Sequence, residues 1–260
     1  MHTTARWSTV AVVTAPATFE LVTIDAIRAA RARLGEVVRP TPTERSDSLS
    51  RLAGRSVLLK PEHLQRAGSF KIRGAYNFMA TVPEGAEVVA GSAGNHAQGV
   101  ALAASLTGRR SRVFMPERAA LPKLQATAEY GAHVVTIPGG VDLCIDQARE
   151  YAATEGAIFV PPFDHPAIIA GQGTVALEVM DEAEDVEVVL VSVGGGGLLA
   201  GVAAAIKALR PQVRVIGVQA EGASSMRRSM AAGHAVEVDP ATMADGVALR
   251  RPGALTLAHA

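Results

Sequence analysis

The stretch Gly68-Ser69-Phe70-Lys71-Ile72-Arg73-Gly74 places a lysine between an aromatic residue and a predicted apolar-faced helix over residues 72–80. A lysine beside apolar surface loses hydration, which disfavours its ammonium form and leaves a neutral amine able to form a Schiff base. Taken alone, the stretch favours a solvated lysine at a helix start, because most lysines are surface charges. Whether Lys71 is reactive therefore depends on the rest of the chain.

Strand-like apolar runs alternate with helical patterns on both sides of this stretch. Strands are predicted over residues 57–60, 88–90, 113–115, 134–137, 158–160, 186–193 and 213–218, and helices over residues 23–37, 97–106, 122–130, 141–153, 167–184 and 198–209. Nearly continuous apolar strands separated by helices are typical of parallel sheets covered by helices. The sequence therefore predicts an α/β fold with mainly parallel sheets, in which residues 57–60 form a short buried strand.

The same pattern predicts a division of the chain. Residues 1–20 loosely resemble a signal peptide whose apolar region is too short, and we expect a poorly ordered extension there. The four short strands between residues 83 and 163 could close as a sheet of their own before the proline-rich break at residues 161–166, although a single sheet is the alternative. We predict a small domain of residues 83–163 and a large domain of residues 21–82 and 164–260, with a cleft between them that suits a cofactor.

Composition narrows the class of partner. The 260 residues carry 25 basic and 25 acidic side chains and only 4% aromatic residues, which disfavours nucleic acid and favours a small molecule. No apolar run approaches the roughly 20 residues needed to span a bilayer, so we expect no membrane segment. The single cysteine, Cys144, is predicted to be a small core residue and suits a reducing compartment, from which we expect a cytoplasmic location.

The turn Gly91-Ser92-Ala93-Gly94-Asn95-His96-Ala97-Gln98-Gly99 lies between a predicted strand and a predicted helix. Such a turn directs backbone N–H groups and short polar side chains to one point beyond the strand, which suits a carboxylate or another anion. The alternative is an ordinary glycine turn in which Ser92 or Asn95 caps the helix. His96 could equally be a satisfied surface or cleft histidine, because spacing alone does not make it a base.

The run Gly194-Gly195-Gly196-Gly197 directly follows the longest predicted strand. Four glycines allow close approach of a ligand, and the N-terminus of the next helix presents free N–H groups and the positive end of its dipole, which favours a phosphate site. Dinucleotide-binding folds use the same physics, and Glu221 is a possible ribose partner, so that alternative stays open. Lys123 and Arg73 are predicted to be solvated, and no histidine spacing suggests a transition-metal site.

Together these stretches resemble the fold type II pyridoxal-phosphate enzymes, in particular their threonine dehydratase (threonine ammonia-lyase) and serine racemase branch. The resemblance covers the chain from about Ile24 onward. Its motifs are Lys60-Pro61-Glu62-His63-Leu64-Gln65, the stretches around Lys71 and Asn95, Ala170-Gly171-Gln172-Gly173-Thr174, the four glycines, and Ala244-Asp245-Gly246-Val247-Ala248.

The resemblance implies a two-domain architecture, pyridoxal 5'-phosphate as cofactor and an amino-acid substrate. It implies that Lys71 forms the Schiff base and then removes the α-proton, and that Phe70 packs beside the cofactor ring. The remaining roles that it implies are a hydrogen bond from Asn95 to the ring's phenolic oxygen, phosphate binding by Gly194, Gly195, Gly196 and Gly197, and binding of the substrate carboxylate by Ser92, Ala93, Gly94 and Asn95. The implied reaction is deaminating dehydration of L-threonine to 2-oxobutanoate, or of L-serine to pyruvate, with release of ammonia.

Departures from the family pattern refine these expectations. Similar serine racemases have a second serine where this chain has Ala93, which disfavours racemisation. The carboxylates of a divalent-cation site in some relatives align with Gln219 and Ser225, so no metal site is predicted. Relatives continue beyond the equivalent of Ala260, and that continuation supplies the residue that contacts the pyridine nitrogen of the cofactor. The resemblance therefore predicts a truncated chain with an incomplete large domain, or an inactive paralogue that still binds the cofactor, without a regulatory domain. Relatives are commonly dimers or tetramers, and we expect a homo-oligomer.

Overall fold

The computed structural model describes residues 19–260, so the extension predicted at residues 1–20 lies outside the described residues except for Phe19 and Glu20. The helices are α1 (Ile24–Leu34), α2 (Asp47–Ala53), α3 (Lys71–Met79), α4 (Asn95–Leu106), α5 (Leu121–Glu129), α6 (Val141–Glu155), α7 (Pro166–Glu182), α8 (Gly197–Leu209), α9 (Ser225–Ala232) and α10 (Ala254–Ala258). The strands are β1 (Glu44–Arg45), β2 (Leu58–Leu59), β3 (Val88–Gly91), β4 (Ser111–Pro116), β5 (His133–Ile137), β6 (Ile158–Phe159), β7 (Val188–Ser192) and β8 (Arg214–Val218). No helix within this part of the chain is long and apolar enough to cross a bilayer.

The strands form three sheets in the described part of the chain. A four-stranded parallel sheet has the order β5-β4-β3-β6, β7 and β8 form a parallel pair, and β1 and β2 form an antiparallel pair. The predicted α/β fold with mainly parallel sheets is therefore confirmed, and the single-sheet alternative is wrong. The four-stranded sheet falls within the predicted small domain, and the domain division itself stays a prediction.

One predicted element differs in kind. The sequence predicts a buried strand over residues 57–60, but β2 pairs only with β1, and Leu58 and Leu59 are 41% and 44% exposed. A short apolar run shows that a strand can form but not whether other layers cover it. The other predicted strands and helices match the observed ones to within about one helical turn, whereas the sequence pattern does not predict β1, α2, α9 or α10.

Helix α7 lies between the two largest cores. Its residue Ile168 packs in one apolar cluster with Ile72 of α3 and Val100 of α4. The next residue, Ile169, packs in the other cluster with residues of β7 and α8, including Ile206. Every residue of α7 from 168 to 177 is buried, and most of them are apolar, as expected for a helix that is covered on all sides.

Two glycines, Gly171 of a matched motif and Gly201 of α8, set the distances between these helices. A Cβ at Gly171 would lie 2.5 Å from the carbonyl oxygen of Arg73, and a Cβ at Gly201 would lie 2.3 Å from the carbonyl oxygen of Ile169. Only glycine therefore allows α3 and α8 to contact the backbone of α7 directly. Since α3 begins at Lys71 and α8 begins at Gly197, α7 fixes the relative positions of the lysine and the glycine loop.

Candidate active site

A pocket of about 180 Å³ lies where α3, α4 and α8 begin. The structure brings together here Phe70, Lys71, Asn95 and all four glycines of the loop at residues 194–197. The remaining walls come from Pro162, Phe163, Gln172, Ser192, Leu198, Gly246, Val247 and Leu249. Residues from distant parts of the sequence thus meet in one small cavity.

Lys71 provides the pocket's amine. Its Nζ donates a hydrogen bond to the carbonyl oxygen of Pro162 at 2.7 Å and lies 5.6 Å from the centroid of the Phe70 ring. Burial lowers the pKa of Lys71 from 10.5 to about 8, because the ammonium form loses hydration that apolar neighbours do not replace. At neutral pH a useful fraction of Lys71 is consequently the neutral amine, the form that reacts with an aldehyde.

His96 is buried beside this lysine. Burial lowers the pKa of His96 to about 3, the positive charge of Lys71 contributes to this lowering, and the hydrogen bond to Val160 opposes both effects. The ring is therefore neutral, and because Val160 offers a carbonyl oxygen at 3.0 Å from Nε2, Nε2 carries the proton and donates it. Of the surface and cleft positions considered above for His96, the structure shows a buried cleft histidine whose hydrogen bond is satisfied.

The turn of residues 92–95 follows the carboxyl end of β3. The Gly94 amide donates to Ser92 Oγ at 3.2 Å, and the Ser92 amide donates to the carbonyl oxygen of Phe114 at 3.0 Å. Asn95 lines the pocket, whereas Ser92, Ala93 and Gly94 lie in the turn just before it and are not among the lining residues. Two of the turn's backbone donors are therefore already used within the protein.

The glycine loop leads directly into α8. Gly196 precedes the helix in a left-handed conformation, with φ +98°, and within the described residues no side chain caps this helix end. The first amides of an uncapped helix have no intrahelical acceptor, and together with the helix dipole they form an anion site. The loop thus has the geometry that a phosphate group requires.

The loop is supported by residues that sequence reasoning missed. Thr256 Oγ1 donates to the carbonyl oxygen of Gly195 at 2.6 Å. The Asp164 carboxylate in turn accepts hydrogen bonds from the amides of Ala254 and Thr256, each at 3.0 Å, which caps α10. No local sequence signal reveals Thr256, because its partner lies 61 residues away.

Arg73 and Lys123 correct the expectation of solvated side chains. The Arg73 side chain is 1% exposed and forms ion pairs with Glu62 at 2.8 Å and Glu178 at 2.5 Å. Burial alone would lower the pKa of Arg73, but the hydrogen bonds and charges of the two glutamates raise it overall. The Lys123 side chain is 28% exposed and forms an ion pair with Asp245. Neither basic residue is free in solvent, because each meets a carboxylate supplied by a distant segment.

Two other predicted residues can be placed. Cys144 is fully buried, as predicted, and burial raises the pKa of its thiol to about 11. Gln219 Nε2 donates to the carbonyl oxygens of Val193 and Ala223 at 3.4 and 3.1 Å. These two oxygens therefore accept a hydrogen bond from an amide, although carbonyl oxygens can also bind a cation. Within residues 19–260 no group of three or more His, Cys, Asp or Glu side chains is arranged to hold a metal ion, and the absence of a metal site stays a prediction.

Comparison with known proteins identifies the family. The model of the pyridoxal-phosphate dependent enzymes matches residues 34–260, and the chain belongs to this family. It is 47% identical over 240 residues to the L-threonine ammonia-lyase of Thermotoga maritima, covering 91% of this chain but only 60% of that protein.

Solved structures agree with this assignment. The fold matches the crystal structure of a T.th. threonine deaminase with a TM-score of 0.86 and 40% identity, covering 91% of this chain and 78% of the other. It also matches maize serine racemase with a TM-score of 0.86 and 33% identity, covering 92% of this chain and 76% of the other. The predicted resemblance to fold type II pyridoxal-phosphate enzymes is confirmed, and the dinucleotide alternative is dropped.

The pocket fits the family's cofactor. Pyridoxal 5'-phosphate carries a phosphate, an aldehyde and an aromatic ring. The uncapped N-terminus of α8 suits the first, the partly neutral amine of Lys71 suits the second, and the apolar side chains of Phe70 and Phe163 suit the third.

Proposed function

We propose that this chain is a pyridoxal-phosphate-dependent ammonia-lyase that converts L-threonine to 2-oxobutanoate and ammonia, and L-serine to pyruvate and ammonia. The observation that carries the proposal is the placement of Lys71, with its pKa lowered to about 8, in the same pocket as the uncapped N-terminus of α8. The relatives named above support the choice of amino acid, since two of the three act on threonine by name.

The chain's residues have the following proposed roles toward the cofactor. The glycine loop at residues 194–197 holds the phosphate, with Thr256 fixing the Gly195 peptide from behind. Phe70 would pack against the ring, Asn95 would donate from its side-chain amide to the ring's oxygen substituent, and Lys71 Nζ would be the amine that holds the aldehyde. When bound, the cofactor supplies the electron sink that makes the α-proton of an amino acid acidic.

Proton movement belongs to Lys71. In the cofactor-loaded enzyme, the neutral amine of Lys71 would be the group that takes the proton from the substrate's Cα. Its pKa near 8 is suited to this task, because a general base works best when its pKa is close to the working pH. Departure of the β-hydroxyl as water and hydrolytic release of ammonia complete the conversion of threonine to 2-oxobutanoate.

The turn of residues 92–95 is proposed to orient the substrate through its carboxylate. Ala93 has no hydroxyl group, so position 93 offers no base for the opposite face of Cα. We therefore favour elimination over racemisation, although maize serine racemase has the same fold.

The finer points of assembly and location are also proposals. We propose a homo-oligomer, dimer or tetramer, to be tested by light scattering after size-exclusion chromatography. The free, buried thiol of Cys144 supports a cytoplasmic location, where disulfides are rare.

The experiment is a parallel assay of wild type and Lys71→Ala. Wild type should gain visible absorbance on addition of pyridoxal phosphate and release a 2-oxo acid on addition of threonine, measured as its hydrazone, and Lys71→Ala should do neither. Absorbance without 2-oxo acid from threonine or serine would show a cofactor-binding protein without lyase activity. Absorbance that survives Lys71→Ala would show that another amine binds the aldehyde.

A further inference from the structure

The ammonium group of Lys123 lies against the turn of residues 92–95. A Cβ built on Gly94 would lie 2.9 Å from Lys123 Cδ and 3.0 Å from its Nζ. Lys123 belongs to the first turn of α5, so its side chain reaches across from a different segment. The turn proposed to bind the substrate carboxylate thus already has a cation beside it.

This cation is held by an exposed carboxylate. Lys123 Nζ pairs with Asp245, whose side chain is 76% exposed, and the pKa of Asp245 is lowered chiefly by the hydrogen bond from Lys123. Asp245 begins the 3₁₀ turn Asp245–Val247, and the next two residues, Gly246 and Val247, line the pocket. The ion pair therefore stands at the rim of the pocket, at the edge nearest the turn.

The turn needs such a cation if it is to hold a carboxylate firmly. The Gly94 amide is already used by Ser92 Oγ, and the Ser92 amide is used by Phe114. Among the described residues that line the pocket, Lys71 carries the one cationic side chain, and Lys71 is committed to the cofactor. A hydrogen bond from a charged donor is also stronger than one from a neutral amide.

We propose that Lys123 binds the substrate's α-carboxylate at the turn of residues 92–95, and that Asp245 holds the Lys123 ammonium while no substrate is bound. The inference rests on the proposed function, because it assigns a residue to the substrate of that reaction. Asp245 then resembles the substrate in one respect: it presents a carboxylate to the same ammonium. Substrate and Asp245 compete for Lys123, and the two partners of the ion pair have opposite effects on affinity.

The test uses cofactor-loaded Lys123→Gln, Lys123→Arg and Asp245→Asn with threonine. Lys123→Gln should raise KM about tenfold with kcat changed less than about twofold, since a hydrogen bond to a charged group is lost at a partly exposed site. Lys123→Arg should recover most of the affinity. Asp245→Asn should lower KM, by up to about fivefold, because an exposed ion pair that opposes binding is removed.

A second substrate isolates the carboxylate. L-Threoninol has an alcohol where threonine has the carboxylate. The binding of threoninol is followed by the change in cofactor absorbance. Wild type should bind threonine much more tightly than threoninol, whereas Lys123→Gln should bind threoninol as wild type does. The matched control is Arg31→Gln, which breaks an exposed ion pair of 2.8 Å with Asp181, away from the pocket-lining residues, and should behave as wild type.

Three results would overturn the inference. One is an unchanged KM in Lys123→Gln whose thermal unfolding midpoint matches wild type. Another is an equal loss of affinity in Lys123→Gln and Asp245→Asn with no further loss in the double variant. That result would mean that the intact ion pair supports the structure of the site and that Lys123 does not bind the carboxylate. The third is an equal weakening of threonine and threoninol. A wild type whose absorbance does not respond to threonine at all would instead contradict the proposed function, so the two failures are distinguishable.

Discussion

Replacing Lys71 by methionine should stabilise the cofactor-free protein at neutral pH, although it removes the proposed catalytic amine. Burial lowers the pKa of Lys71 from 10.5 to about 8, which corresponds to at most about 3 kcal/mol of destabilisation while the folded protein must carry the ammonium. The hydrogen bond from Nζ to Pro162 and the accessible surface of Lys71 in the pocket reduce this value. We expect a gain of about 1–3 kcal/mol in the free energy of unfolding.

The gain should depend on pH in a defined window. Below about pH 8 Lys71 is protonated in both the folded and the unfolded chain, so the full penalty is present. Between about pH 8 and 10.5 the folded protein has released the proton while the unfolded chain still binds it, so wild-type stability rises with pH relative to Lys71→Met. Above pH 10.5 the amine is neutral in both states and the difference disappears.

The assay is urea unfolding of cofactor-free wild type, Lys71→Met and Lys71→Arg between about pH 6 and 10. Lys71→Arg is the matched control, because a guanidinium stays charged over the whole range and its stability should show no recovery above about pH 8. The reasoning is refuted if wild type and Lys71→Met are equally stable at every pH from neutral to about pH 10. That result would mean that the folded protein carries the ammonium without penalty.

Two further substitutions test the supports of the site. Gly196→Ala forces a non-glycine residue to φ +98° beside packed side chains and should weaken cofactor binding about tenfold or more in an absorbance titration. Gly233→Ala, with φ +73° and open space around it, should leave cofactor binding unchanged. Arg73→Met removes the ion-pair partner of Glu62, while Glu178 keeps the Lys60 ammonium at 3.1 Å, and it should lower the free energy of unfolding by about 3–5 kcal/mol at neutral pH. Urea unfolding at neutral pH measures the loss.

The features that sequence predicted well are those encoded locally. Strand and helix alternation follows from the spacing of apolar residues, and the glycine loop and the Lys71 stretch are continuous in the chain. The features it missed are side-chain pairs between distant segments, such as Lys123 with Asp245, 122 residues apart. Periodicity reports which face of an element is buried, but a pair of charges leaves no pattern in either segment alone.

The two lysines near the pocket show why residue type alone could not decide the chemistry. Surface statistics favour a solvated ammonium for both, yet the fold gives them different surroundings. Lys71 lies at the start of α3 with a carbonyl oxygen as its neighbour, and burial lowers its pKa to about 8. Lys123 lies at the rim against the carboxylate of Asp245, whose pKa it lowers.

The difference agrees with the two roles proposed for them. A Schiff base requires an amine that can lose its proton, whereas a substrate carboxylate is held best by a fixed positive charge. A carboxylate placed beside Lys71 would favour its ammonium form and oppose the first role. In the structure Asp245 pairs with Lys123, whereas the described residues that line the pocket with Lys71 include no carboxylate, and burial lowers the pKa of Lys71.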